Sequence, residues 1–154
     1  MLIDNEITIR KQLKETDLNY IYDSWLEDFR SSHFTPVKDK KSASFVALMP
    51  RELYYKEQRP RFQKILSKSK VLLVCNKEDE DQIFGYAIYR FLGDITILSW
   101  IYVRPVYRKL GISKRMIKEI GEIDVVTHAT PARWWFLKKN NLIYNPYMEE
   151  KLDD

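Results

Sequence analysis

The chain switches between two hydrophobic periods, and each switch marks an element. Residues 6–10, EITIR, put apolar groups at every second position, the spacing of a half-buried strand. Thr16 and Asp17 offer helix-capping side chains, and Leu18, Ile21, Tyr22, Trp25, Leu26 and Phe29 then recur at helical intervals. That pattern predicts an amphipathic helix over 17–30. Residues 31–49 carry Ser, Lys and Pro36 and are expected to run as a surface loop. Pro50 suits a first helical position and opens a second helix through Leu53 and Tyr54. Pro60 is expected to interrupt or kink it before Phe62, Ile65 and Leu66.

Beyond residue 69 the period becomes that of strands. KVLLVCN over 70–76 reads as a buried strand, 76–81 as an acidic turn, and QIFGYAIYRF over 82–91 as the second arm of a hairpin. Gly93 and Asp94 mark a turn before ITILSWIYV, 95–103, which is apolar on both faces and so expected to lie centrally, covered on both sides. A helix over 112–120 carries Ile112, Met116 and Ile120 on one face, and DVVTHA, 124–129, reads as a further strand. Thr130 and Pro131 suit the start of a short helix that ends at Asn140 and Asn141, with Trp134 and Trp135 expected to pack in the core. LIYNPYM, 142–148, is expected as an edge strand broken by proline, and 149–154 as a frayed tail. Alternating strands and helices without repeat or linker predict one α/β domain over residues 1–154, with a mixed, mostly antiparallel central sheet flanked by helices.

Composition narrows the function classes. With 154 residues and 45% hydrophobic content, the chain can bury a core without disulfides, and its single cysteine, Cys75, fits a reducing compartment. Two histidines and one cysteine leave little material for a metal site, so none is expected. The formal charge of +4 comes from interleaved cations and anions, which argues against a dedicated nucleic-acid binder. The longest apolar run, VLLVC, is far shorter than a membrane span, and the first ten residues lack the apolar core of a signal peptide. The expected location is cytoplasmic.

The chemistry concentrates in YVRPVYRKLGIS, 102–113, where a central strand ends and a helix begins. Such a junction offers free backbone N–H groups and the positive end of a helix dipole, a setting for phosphate or pyrophosphate. Gly111 admits a ligand close to the backbone, Ser113 adds a hydroxyl, and Arg104, Arg108, Lys109, Lys114 and Arg115 surround the turn with positive charge. The same residues also suit a plain turn with a solvated basic flank. His128, at a strand end, reads either as a proton-transfer group or as a hydrogen-bonded structural histidine. Tyr102 and Tyr144 read either as functional phenols or as ordinary sheet residues.

Val103-Arg104-Pro105, then Arg108, Gly111 and Ser113, then an amphipathic helix, resemble the acetyl-CoA signature of the GCN5-related N-acetyltransferases, the GNAT superfamily. Ser113 stands where the signature ends in Gly or Ala. The order of elements over about residues 6–148 is also similar to that family, and the compact layout resembles members encoded in bacteriophage and bacterial genomes. The resemblance implies acetyl-CoA, or a related acyl-CoA, with its pyrophosphate on the backbone of Arg108, Lys109, Leu110, Gly111, Ile112 and Ser113. It implies that Ile101, Tyr102 and Val103 pair with the pantetheine arm, and that this strand and DVVTHA splay apart to admit it. Thr130 falls near the place of an Asn that contacts the cofactor in many relatives.

The implied activity is N-acetyl transfer by direct attack of an amine, on a small molecule or a protein, away from any membrane. Nucleic acid is not an expected partner, and relatives often form homodimers. Two family features are missing here. The strand 95–103 has no carboxylate to act as base, and Phe136 or Leu137 occupies the place of an acid tyrosine. Catalysis then falls to water or to Tyr102, His128 or Tyr144. The alternative is a non-catalytic protein of this fold that binds a protein or nucleic-acid partner.

Overall fold

The strands lie side by side in the order in which the chain makes them. The computed structural model describes residues 5–31, 49–129 and 134–148. β1 (Ile7–Arg10), β2 (Lys70–Asn76), β3 (Ile83–Leu92) and β4 (Ile95–Val103) pair antiparallel; β5 (Val125–Val126) and β6 (Ile143–Tyr144) extend the same sheet in parallel. The helices are α1 (Leu18–Ser31), α2 (Arg51–Ser67), α3 (Ile112–Ile120) and α4 (Trp134–Lys139). The sheet is mixed and mostly antiparallel, with helices against both faces.

Each face has its own apolar core. Leu73, Cys75, Tyr86, Ile88 and Trp100 pack beneath α1 and α2, where the Trp25 ring stacks on Phe62 at 3.9 Å between centroids. Leu72, Val74, Ala87, Leu98 and Ile101 turn to the other face, against Ile112 and Met116 of α3 and Leu137 of α4. β4 sends buried side chains to both cores, as apolar residues on both of its faces predict. Its close approach to β3 needs Gly85. A Cβ there would sit 2.6 Å from the Tyr102 carbonyl oxygen, a backbone atom that cannot swing away. Gly85→Ala is therefore expected to destabilise the fold by about 1–3 kcal/mol, read as a lowered melting temperature. An unchanged melting temperature would contradict that contact.

Three sequence expectations are corrected. Asp17 does not cap α1: its carboxylate accepts from Arg10 at 2.7 Å and 3.1 Å and from the Lys14 N–H at 2.8 Å, in a buried ion pair. Pro60 does not interrupt α2, which runs through it with Pro50 as the flanking cap residue. Pro60 and Lys56 are both exposed, so the carbonyl that loses its partner reaches water. DVVTHA is strand only at Val125–Val126. The flanking Asp124 and Thr127 N–H groups bond to the carbonyls of Thr96 and Leu98 at 3.0 Å and 3.2 Å, and the chain then leaves the sheet. The loop expected over 31–49 (beyond Ser31 and before Met49), the Thr130–Pro131 cap, the packing of Trp134 and Trp135, and the tail over 149–154 lie outside the described residues.

Candidate functional site

β4 outruns its neighbour. It pairs with β5 only at Ile97↔Val125 and Leu98↔Val126, then continues to Val103. The parting begins at a bulge: Ile88 faces Trp100 and Tyr89 faces Leu98, so Ser99 is the extra residue in β4. A narrow crevice of about 20 Å³ lies between the diverging strands, lined by Ser99, Ile101, Val126, Ala129, Phe136 and Leu137. Arg104 donates its N–H to the Phe84 carbonyl at 2.9 Å, on the β3 side. Strand alternation then turns the backbone groups of Ile101 and Val103 to the side away from β3.

The turn after β4 has an unusual backbone. A short 3-10 turn over Pro105–Tyr107 leads to Arg108, and Lys109 and Gly111 then take left-handed conformations, with φ of 67° and 83°. A lysine in that region carries a backbone cost of about 1–2 kcal/mol, which the fold holds in place. Left-handed residues in a turn are a feature of backbone concavities that take anions. α3 starts beside it; the Arg115 N–H donates to the Gly111 carbonyl at 3.0 Å, and the N–H groups before it belong to the unpaired first turn. A Cβ added to Gly111 meets nothing within 4 Å, so the mouth of the turn is open. Lys109, Lys114 and Arg115 are exposed around it.

Arg108 braces this turn. Its N–H donates to the Pro105 carbonyl at 3.3 Å, its Nε to the Val103 carbonyl at 2.9 Å, and its Nη2 reaches Asp28 of α1 at 3.4 Å. Of the six backbone N–H groups expected at the anion, that of Arg108 is thus engaged within the turn.

The three phenol and imidazole groups do not meet in one place. Tyr102 faces α1, its ring 5.2 Å from that of Tyr86, in a cleft shared with Tyr20, Ser24, Asp28 and Arg108. Burial pushes its phenol above the usual tyrosine value, so it keeps its proton at neutral pH. His128 leaves β5 with its ring edge against Trp25, Phe29 and Phe62, at 5.9, 5.4 and 5.6 Å, and its Nδ1 3.0 Å from Thr127 Oγ1. Tyr144 shares a second cleft with His128, and burial raises its phenol too. Thr130 lies outside the described residues.

Sequence reasoning passed over Asp28 and Arg90. Tyr20, Ser24 and Asp28 form a stripe at four-residue spacing on α1, which was the available signal for the first. Arg90 follows Tyr86 and Ile88 on the inward phase of β3 and is only 5% exposed, a charge where alternation expects an apolar group.

Comparison with known proteins bears on this arrangement directly. No curated protein matches the chain in sequence. Among solved structures, a Pyrococcus furiosus protein proposed to be an acetyl transferase is 16% identical, with 96% of this chain and 91% of that one covered and a TM-score of 0.54. PaiA N-acetyltransferase from Thermoplasma acidophilum, solved in complex with coenzyme A, is 21% identical over 73% of this chain and 68% of its own, with a TM-score of 0.47. The apo form of YjaB from Escherichia coli is 15% identical with a TM-score of 0.48; the match covers 74% of this chain and 63% of that one. At such identities the likeness is one of fold. No helix among the described residues is long and apolar enough to cross a membrane. The model of the acetyltransferase (GNAT) family matches residues 18–141, a span that takes in the parted strands β4 and β5 and the turn at Gly111. By that match the chain belongs to the GNAT family of acetyltransferases.

Proposed function

We propose that the protein moves an acetyl group from acetyl-CoA to an amine by direct attack. The observation that carries this reading is the parting of β4 from β5 after Leu98, immediately before the open, left-handed turn at Gly111. Acetyl-CoA is the donor of this family, and the residues present fit it. The backbone of Lys109, Leu110, Gly111, Ile112 and Ser113 forms a concavity for a pyrophosphate. Ile101 and Val103 present the strand side to which an extended arm adds. The crevice walls at Phe136 and Leu137 are apolar, as a pantetheine slot requires.

Acetyl-CoA supplies an activated thioester when bound; the chain supplies orientation and proton management. Tyr102 holds its proton at neutral pH and so serves as a donor to a departing sulfur, not as a base. His128 borders both the crevice and the second cleft.

Calorimetric titration with acetyl-CoA, beside thiol release over an amine panel, tests the proposal. Micromolar binding and acceptor-dependent thiol release are the expected results. Tyr102→Phe is expected to lower kcat about 100-fold with KM for acetyl-CoA nearly unchanged. No binding at millimolar acetyl-CoA would overturn the reading. Binding without transfer to any amine would leave a non-catalytic cofactor-binding protein.

A further inference from the structure

We infer that the crevice between β4 and β5 seats the acyl group of the donor and limits it to two carbons, and that Phe136 of α4 sets the limit. This inference rests on the proposed transfer reaction and adds to it the donor's chain length and the residue that selects it.

The argument begins where the strands stop pairing. Leu98 and Val126 form the last register pair of β4 and β5, and both line the crevice. On the side away from the Gly111 turn the strands are held shut. Thr96 donates its N–H to the Asp124 carboxylate at 2.8 Å, and Asp124 returns its own N–H to the Thr96 carbonyl at 3.0 Å. The Thr127 N–H closes the junction itself, donating to the Leu98 carbonyl at 3.2 Å. The crevice is therefore a blind end in that direction. An extended arm that leaves the Gly111 turn and adds along Val103 and Ile101 runs back toward Leu98. Its free end, the thioester with its acyl group, is the part that meets the blind end.

Size then decides what fits. The crevice measures about 20 Å³, room for one group the size of a water molecule, and a methyl is such a group. Three of its walls belong to one tightly packed core: Leu98, Val126 and Leu137 are each 5% exposed or less. Close-packed walls do not make way for an added methylene without strain. An acetyl group brings one methyl to this space, whereas propionyl and butyryl groups bring one and two methylenes more. A longer chain would have to pass His128 and Ala129, which border both the crevice and the wider second cleft. The His128 ring is held there against Trp25, Phe29 and Phe62.

The α4 side is the wall that one substitution can move. Phe136 lines the crevice but is only partly buried, packed against the rim of the core, so trimming its ring enlarges the space with less damage than trimming Leu137.

The test is calorimetric titration with CoA and with acetyl-, propionyl-, butyryl- and hexanoyl-CoA. The native chain is compared with Phe136→Ala and the milder Phe136→Leu, and thermal melts confirm that each is folded. Acetyl-CoA is expected to bind as well as CoA, and each of the first two added methylenes to cost about tenfold in affinity. Phe136→Ala is expected to bind butyryl-CoA at least as well as acetyl-CoA, with Phe136→Leu between. A role in packing alone would weaken every donor alike and leave their order unchanged. Equal affinity along the series in the native chain, or an order unchanged in both variants, would overturn the inference. Hexanoyl-CoA that binds as tightly as acetyl-CoA would reveal a chain passing His128 into the second cleft, and would overturn it too.

These titrations need no acceptor, so the two readings fail separately. Acetyl transfer without a length preference would leave the reaction standing and remove the limit. A length preference without transfer to any amine would keep the limit and remove the reaction. Absence of binding by every member of the series would overturn both.

Discussion

Gly111→Glu is expected to give a folded protein with no measurable affinity for acetyl-CoA, a loss of at least about a thousandfold. The substitution meets no steric obstacle, because nothing lies within 4 Å of the added Cβ. Its structural cost is the left-handed backbone at φ 83°, about 1–2 kcal/mol, so the melting temperature falls by only a few degrees. The functional cost is larger for two separate reasons. A carboxylate beside the first turn of α3 competes for the N–H groups that a pyrophosphate needs, and it repels the pyrophosphate itself. Gly111→Asn separates strain from charge, since asparagine tolerates the left-handed region and adds no charge. It is expected to keep most of the affinity. Calorimetry and thermal melts of both variants suffice, and micromolar binding by the glutamate variant would remove the turn from the cofactor site.

Asp17→Ala is the substitution with the largest expected effect on stability, about 3–5 kcal/mol. Arg10 and Asp17 are 7% and 4% exposed, and the same guanidinium also donates to the carbonyls of Gln12 at 2.8 Å and Glu80 at 3.1 Å. The pair thus ties the end of β1 to the entry of α1 and to the β2–β3 turn. Removing the carboxylate strands a buried cation, whereas Arg10→Leu with Asp17→Leu removes both charges and is expected to recover much of the loss. The pH dependence has a definite sign. Burial alone pushes the Asp17 carboxyl up, but the hydrogen bonds from Arg10 and the Lys14 N–H outweigh it and hold the group below its usual value. A carboxyl lowered on folding contributes stability that is complete above its unfolded pKa of about 3.9 and is lost as pH falls through the lower folded value. Urea midpoints measured from neutral to acid pH should therefore fall in the native protein, and fall less in Asp17→Asn. Parallel curves would show that the ion pair is not what acid removes.

The parts of the fold that local pattern controls were legible in the sequence. KVLLVCN, ITILSWIYV and ISKRMIKEI occupy their expected bounds because each is a single period with turn residues at its ends. The corrections fall where distant residues decide. Asp17 has capping chemistry, but Arg10, seven residues earlier, claims its carboxylate. DVVTHA has strand composition, but only the part level with Ile97 and Leu98 finds a partner before β4 bends at Ser99. The turn over 108–113 was readable as a strand-to-helix junction from Pro105 and Gly111. The role of Arg108 as a brace was not, because Asp28 comes from eighty residues upstream.

The order of the strands bears on how the protein is born. Every described buried residue of the core beneath α1 and α2 lies between Ile21 and Trp100 in sequence. The residues of that core therefore emerge from the ribosome before the rest of the chain, since synthesis runs from the N-terminus. The opposite core needs Ile112, Met116 and Leu137, which are made later, together with the Gly111 turn. Joined to the sheet by two-residue strands, it is also the half that opens at least cost. A ligand that grips it then acts as a late fastener, and its concentration in the cell sets how long a newly made molecule stays closed.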